Sequence, residues 1–267
     1  MIGGEVSEAH ARAWLSRGLT TELVEKAINE SPTPAIVDRA FLGKTGRSIT
    51  AIGRVAARIG RHPGCIYAQP VQAGRNLSLR VLVRRAGRDS GMKYVDREND
   101  FRQDMISYVL RDISISSAGT DDSIISLTRH AVQRWIERGG AKDPRIDLLR
   151  KLDRAVLMAI FHSGLFDAAT EVSAQNITDR NGQVARFGVP DAHGGLWVAA
   201  VSCLKKSLVD SYGARGVKVR CVVTVLTYIG CDLVSPSQAL YRDLAISEGI
   251  SGVVQRFPDE FLPLGSD

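Results

Sequence analysis

The sequence predicts an α+β protein made of two related helix–helix–antiparallel-sheet subdomains, residues 1–120 and 121–267. Three observations predict this. Apolar residues recur at helical spacing in 49–59 and 149–160. Alternation marks Leu77–Arg85 and Val217–Ile229 as strands. Both halves also run in one order, from a helix carrying His, Trp and Arg-Gly to a strand carrying Arg.

Along the chain, Ser7 caps a short helix that stops near Arg17-Gly18, and Thr20 or Thr21 caps a second that ends before Pro32 and Pro34. Ser48 opens a third, with Ile49, Ile52, Val55, Ala56 and Ile59 on its apolar face and Arg54, Arg58 and Arg61 on another. Strands are expected at Cys65–Ala68 and Leu77–Arg85, a long loop over Gly87–Asn99, a helix over Asp100–Arg111, and short strands at Ile113–Ser116 and Ile124–Leu127. Thr128 then caps a helix running to Arg138. Asp143-Pro144 signals the start of the next, which ends near His162-Ser-Gly164. Strands follow at Gln183–Val189, Leu196–Cys203 and Val217–Ile229, and Ser235-Pro236 opens a last helix.

The suspected repeat pairs His10-Ala11…Trp14…Arg17-Gly18 with His130-Ala131…Trp135…Arg138-Gly139, and Leu77–Val83 with Val217–Val223, which sets Arg80 beside Arg220. The boundary then falls near Gly119–Asp122. Chance sharing of residue types between amphipathic elements is the alternative.

The composition excludes several classes. At 44% hydrophobic and 24% charged the chain is globular, neither disordered nor collagen-like. No apolar run approaches the roughly 20 residues that span a bilayer, and MIGGEVSEAHARAW has no apolar leader core, so a cytoplasmic location is expected. Cys65, Cys203, Cys221 and Cys231 lack zinc-ligand spacing and read as reduced thiols. Gly43-Lys44-Thr45 is no phosphate loop, because Asp38 stands where a glycine is required. No metal or other cofactor is expected.

The sharpest local pattern is Thr128-Arg-His-Ala-Val-Gln-Arg-Trp-Ile-Glu-Arg138. On a helix, His130, Arg134 and Arg138 fall at i, i+4 and i+8 and share a stripe. Exposed N–H groups in the first turn disfavour imidazolium, so His130 should stay neutral. Two guanidiniums behind it offer forks for a phosphodiester. Such a set suits metal-free RNA cleavage, with a base at the 2′-hydroxyl, cations on the phosphorane and an acid at the leaving oxygen. A solvated face is the plainer reading. On Val217–Ile229 the alternation puts Lys218, Arg220, Thr224 and Tyr228 on one face, as a site floor or a solvated face, with Tyr228 as a candidate acid.

The stretch resembles the His-Ala-x-x-Arg-x-x-x-Arg helix of the RelE-like and barnase–EndoU–colicin-type bacterial ribonuclease superfamily, toxins in which one or two helices pack on an antiparallel sheet. The likeness runs from His130 to about Ile229; the first copy departs from it, with Trp14 in the place of Arg134. The resemblance implies a metal-independent endoribonuclease whose catalytic set is His130, Arg134, Arg138, Arg220 and Tyr228. The alternative is a non-enzymatic phage or mobile-element protein that binds nucleic acid or protein on the same scaffold.

Net charge is +6, but Arg39–Arg88 holds eleven cations and no acid, leaving −5 elsewhere. Arginine outnumbers lysine ten to one there, which favours forked contacts to phosphate. Arg54, Arg58, Arg61, Arg80, Arg84 and Arg85, with Lys218, are the expected nucleic-acid contacts, and RNA is the expected partner. An acidic antitoxin or immunity-type protein is the alternative partner, and no membrane partner is expected. Only Phe41 and Tyr67 are aromatic within the segment, so base stacking is not expected of it.

Overall fold

A computed structural model describes residues 8–31, 48–74, 76–87, 105–115, 119–144, 146–174, 186–201, 213 and 216–250. Among these the elements are α1 (Glu8–Asn29), α2 (Ile49–Ile59), β1 (Cys65–Ala73), β2 (Asn76–Gly87), β3 (Met105–Ser114), β4 (Thr120–Thr128), α3 (Arg129–Glu137), α4 (Leu148–Phe161), α5 (Leu165–Ala174), β5 (Arg186–Pro190), β6 (Leu196–Val201), β7 (Val217–Ile229) and α6 (Pro236–Glu248). The α+β class expected from the sequence holds.

The strands form one seven-stranded sheet in the order β1-β2-β3-β4-β7-β6-β5. Every neighbouring pair is antiparallel except β4 and β7. Two three-stranded meanders thus flank β4. The boundary expected near residue 120 falls at the start of β4, which hydrogen-bonds to β3 on one side and β7 on the other. One sheet therefore runs through both halves in place of two. The strands aligned by the suspected repeat also differ in position: β2 is central in its meander, whereas β7 borders β4.

Side chains alternate across the sheet and define two cores. On one face Leu82, Tyr108, Ile125, Leu127, Val223 and Val225 pack under α1, α3, α4 and α5. On the other, Leu79, Val81, Val83, Val109, Ile113, Ile124 and Val222 pack against Ile52, Val55, Ala56 and Ile59 of α2. The sheet therefore separates α2 from α3.

Several elements differ from expectation. α1 continues unbroken through Gly18, because Thr20 turns its hydroxyl back to the Ser16 carbonyl at 2.6 Å and stays inside the helix instead of capping a new one. Residues 105–111, the described part of the helix expected over Asp100–Arg111, instead form β3 together with the start of the strand expected at Ile113–Ser116. Ile106, Tyr108 and Leu110 enter one core and Val109 and Ile113 the other, so the strand is apolar on both faces and shows no period of two. α4 starts at Leu148 and not at Pro144, after Asp147 adopts a left-handed φ of 42°. Its buried stripe, Leu149, Leu152, Val156, Ala159 and Ile160, is the expected one. α5 was not anticipated. Residues 1–7, 32–47 and 88–104 lie outside the description, with the expected Ser7 cap and most of the 87–99 loop.

Candidate functional site

Thr128 caps α3, its Oγ1 accepting from Ala131 N at 3.0 Å and donating to the Leu226 carbonyl at 3.1 Å. Ala131, Val132, Trp135 and Ile136 face the core. His130 is thereby left exposed in the first turn. Its pKa is lowered, as expected, though chiefly by partial burial and then by the Arg134 and Arg138 guanidiniums; Glu137 acts in the opposite direction. Arg134 Nη1 donates to Glu137 Oε2 at 2.9 Å, and Arg138 Nη1 donates to the Tyr228 carbonyl at 2.6 Å.

The other two members of the expected catalytic set lie elsewhere. Arg220 donates through Nε and Nη2 to Asp121 Oδ2, at 3.1 and 2.8 Å. Asp121 and Thr128 stand at opposite ends of β4, about 23 Å apart along the strand. Arg220 thus sits far from His130. Tyr228 was expected to share a face with Arg220 and Thr224. A register shift between Val198 and Ala199 bypasses Leu226 of β7, so Val225 and Tyr228 turn to the same side and Tyr228 joins the core. There it packs edge-on against Trp197, which stacks on Trp135. Its hydroxyl donates to Asp191 Oδ2 at 3.0 Å. Burial and the Asp191 carboxylate hold the phenol well above its usual pKa, which does not suit a proton donor at neutral pH. Lys218 is exposed, opposite Asp121 in register.

The basic segment also divides. Arg54 and Arg58 project from the exposed side of α2, whose start Ser48 caps by accepting from Ala51 N, and exposed Arg61 lies in the turn just past its Gly60 cap, not on the helix as expected. Arg80, in contrast, makes a forked pair with Asp112 at 2.7 and 3.1 Å. Arg84 is 2% exposed; it donates to Asp153 on α4 and, at 3.2 Å, to Glu30 beyond α1. It is a core residue and not a surface contact. Arg85 lies half-buried on the α2 side of the sheet. The cations at 39, 44, 47, 75 and 88 lie outside the described residues. The acids that neutralise Arg80 and Arg84 are 32 residues away for Asp112, 54 for Glu30 and 69 for Asp153, all outside 39–88, so a count along that segment does not see them.

Asp122, fully buried against Arg111, escaped the sequence reading, as did half-buried Asp153 and buried Asp191. Asp153 follows Leu152 inside the apolar stripe of α4, and Asp191 begins the turn Asp191-Ala-His-Gly-Gly195. Each has a carboxyl pushed up by burial and opposed by hydrogen bonds, from Arg84 and Tyr108 for Asp153 and from Tyr228 and the His193 amide for Asp191. Among the described residues no group of three or more His, Cys, Asp or Glu is placed to hold a metal, and no helix is long and apolar enough to cross a membrane. Comparison with protein-family models, with curated proteins and with solved structures finds no match to this chain.

Proposed function

We propose that the chain is a nucleic-acid-binding protein that grips the phosphate backbone, with RNA the expected partner, through the outer face of α2. The observation that carries this reading is Arg54 and Arg58 at i and i+4 on the exposed side of α2, with exposed Arg61 in the turn that follows, within a stretch, 48–74, that has no Asp or Glu. Guanidinium forks match phosphate oxygens, and such contacts release counterions, so affinity falls steeply with salt. Fluorescence anisotropy of a labelled RNA across a salt series tests it. Replacing the three arginines by alanine should flatten the log–log salt slope by about 2 units, at roughly 0.7 per phosphate on a single strand. An unchanged slope, or no binding by wild type at low salt, overturns the reading.

A second reading is metal-independent RNA cleavage from α3. It is favoured by one observation, the neutral-leaning His130 beside Arg134 and Arg138. Against it stand the distance of Arg220 and the burial of Tyr228. RNA incubated in EDTA with wild type and with His130→Ala decides: cleavage lost in the variant supports it, and equal cleavage or none by either rejects it.

A further inference from the structure

We infer that Trp14 on α1 is a stacking platform for an unpaired base of a single-stranded nucleic acid, with Arg17 placed to meet the adjoining phosphate. The inference rests on the nucleic-acid reading above and adds a second contact to it, on the opposite face of the sheet from α2.

Trp14 is 81% exposed, while Trp135 and Trp197 are buried at 1% and 3%. On a helix that buries Leu23, Val24 and Ala27 further along, this indole belongs to neither core formed by the described residues. Its surroundings are cationic. Arg17 follows at i+3 on the same side and is exposed, and residues 11–18 hold two arginines and no acid. Thr21, at i+7 from Trp14 and about 10 Å along the axis, accepts a hydrogen bond from Arg129, which sets the start of α3 against this part of α1.

Gly18 adds a separate observation. α1 passes straight through it, although glycine inside a helix is unfavourable relative to alanine. A Cβ placed there would meet nothing within 4 Å, so no contact among the described residues requires the glycine. Helical side chains lean back over the preceding turn, so a side chain at 18 would lie over residue 14. Glycine leaves that side of the indole open to a flat ring. Stacking does not depend on which base is offered, and a duplex, with its bases already stacked on each other, does not offer one. The cationic surroundings favour a nucleic acid over an apolar protein segment.

Tryptophan emission gives a direct test, because Trp14 is the exposed indole. Full-length protein is titrated with an oligouridylate of about 12 nucleotides and with a blunt duplex of the same length, reading emission and anisotropy together. The expected result is strong quenching by the single strand, little by the duplex, and about a tenfold loss of single-strand affinity in Trp14→Ala with duplex affinity unchanged. Gly18→Gln should weaken single-strand binding in the same direction. Binding that depends on the α2 arginines but leaves Trp14 emission and Trp14→Ala affinity unchanged overturns the platform and leaves the α2 reading standing. Absence of binding to either probe overturns both. Concentration-dependent self-association abolished by Trp14→Ala, with no effect of RNA on emission, assigns the indole to a second copy of the chain and also overturns the proposal.

Discussion

Arg84 on β2 donates to Asp153 on α4 inside the protein, with the guanidinium 2% exposed. Tyr108 donates to the second oxygen of the same carboxylate at 2.9 Å, and Glu30 takes another guanidinium N–H. The network ties the α1 end, β2, β3 and α4 together. Removing one member leaves a buried charge uncompensated. Asp153→Ala or Arg84→Ala should therefore lower unfolding free energy by about 3–5 kcal/mol. The double change Arg84→Met with Asp153→Leu should cost much less than the sum of the singles. Urea unfolding of the four proteins checks this.

Arginines that look alike in the sequence should behave differently in binding. Arg80→Ala and Arg220→Ala remove cations already matched by Asp112 and Asp121, and should leave RNA affinity close to wild type. Each alanine at 54, 58 or 61 should lower it and reduce the salt slope by roughly 0.7. Anisotropy titrations at two salt concentrations separate the groups.

His130 should titrate below about 6.5, the ordinary imidazole value. Since Arg134 and Arg138 both lower it, Arg134→Ala or Arg138→Ala should raise the midpoint, and Glu137→Gln should lower it further. The sign for stability follows. As pH falls through about 6.5 the unfolded chain takes up the proton and folded His130 does not, so acidification costs stability until its own lower pKa is reached. Imidazole proton shifts followed by NMR give the midpoints.

Asp191 has the opposite sign. Burial raises its folded pKa above the unfolded value of about 3.9. Between those two values the unfolded chain releases a proton that the folded chain keeps, so stability falls as pH rises through the window and levels off above it. Asp191→Asn keeps an acceptor for the Tyr228 hydroxyl and removes this loss. The variant should gain on wild type across that window and hold a constant difference above it. Urea midpoints at a series of pH values test the slope.

Tyr228 needs room as well as a partner. A Cβ on Gly195 would lie 2.1 Å from the Tyr228 hydroxyl and 2.7 Å from the Ile229 carbonyl. Gly195→Ala should thus cost about 1–3 kcal/mol through overpacking. Tyr228→Phe should cost about 1–3 kcal/mol by leaving Asp191 short of a donor. Neither should alter RNA affinity in the folded protein, which thermal melts and anisotropy check together.

Much of the fold was legible where one side of an element meets water. The stripes of α2 and α4, the Thr128 and Ser235 caps, and the alternation in β2 all follow from polar and apolar residues sorting to two sides; in β7 the expected alternation holds only over 221–225, between register shifts that bypass Arg220 and Leu226. β3 was not legible, because both its faces are buried and the alternation disappears. Tyr228 was misplaced for a related reason: one bypassed residue in β7 reverses every face beyond it, and a single strand carries no mark of where its partners shift register. The exposure of Arg54 and Arg58 was legible from helical spacing; Arg61 falls beyond the Gly60 cap, so spacing alone misplaced it. The exposure of Trp14 was not, since an aromatic in an amphipathic helix is expected inside.

The sequence by itself determined the α+β class, the helix faces that turn toward the core, and the identity of the cations and of His130. These depend on neighbours within one or two turns or along one strand. Tertiary structure alone decided that Arg80, Arg220 and Arg84 are paired with acids, because Asp112, Asp121 and Asp153 reach them across strands and layers over sequence separations of 32, 99 and 69 residues. It also decided that the basic face of α2 and the His130 face of α3 lie on opposite sides of one sheet. That follows from which face of each strand a helix covers, and the covering is fixed by long-range burial and not by local spacing.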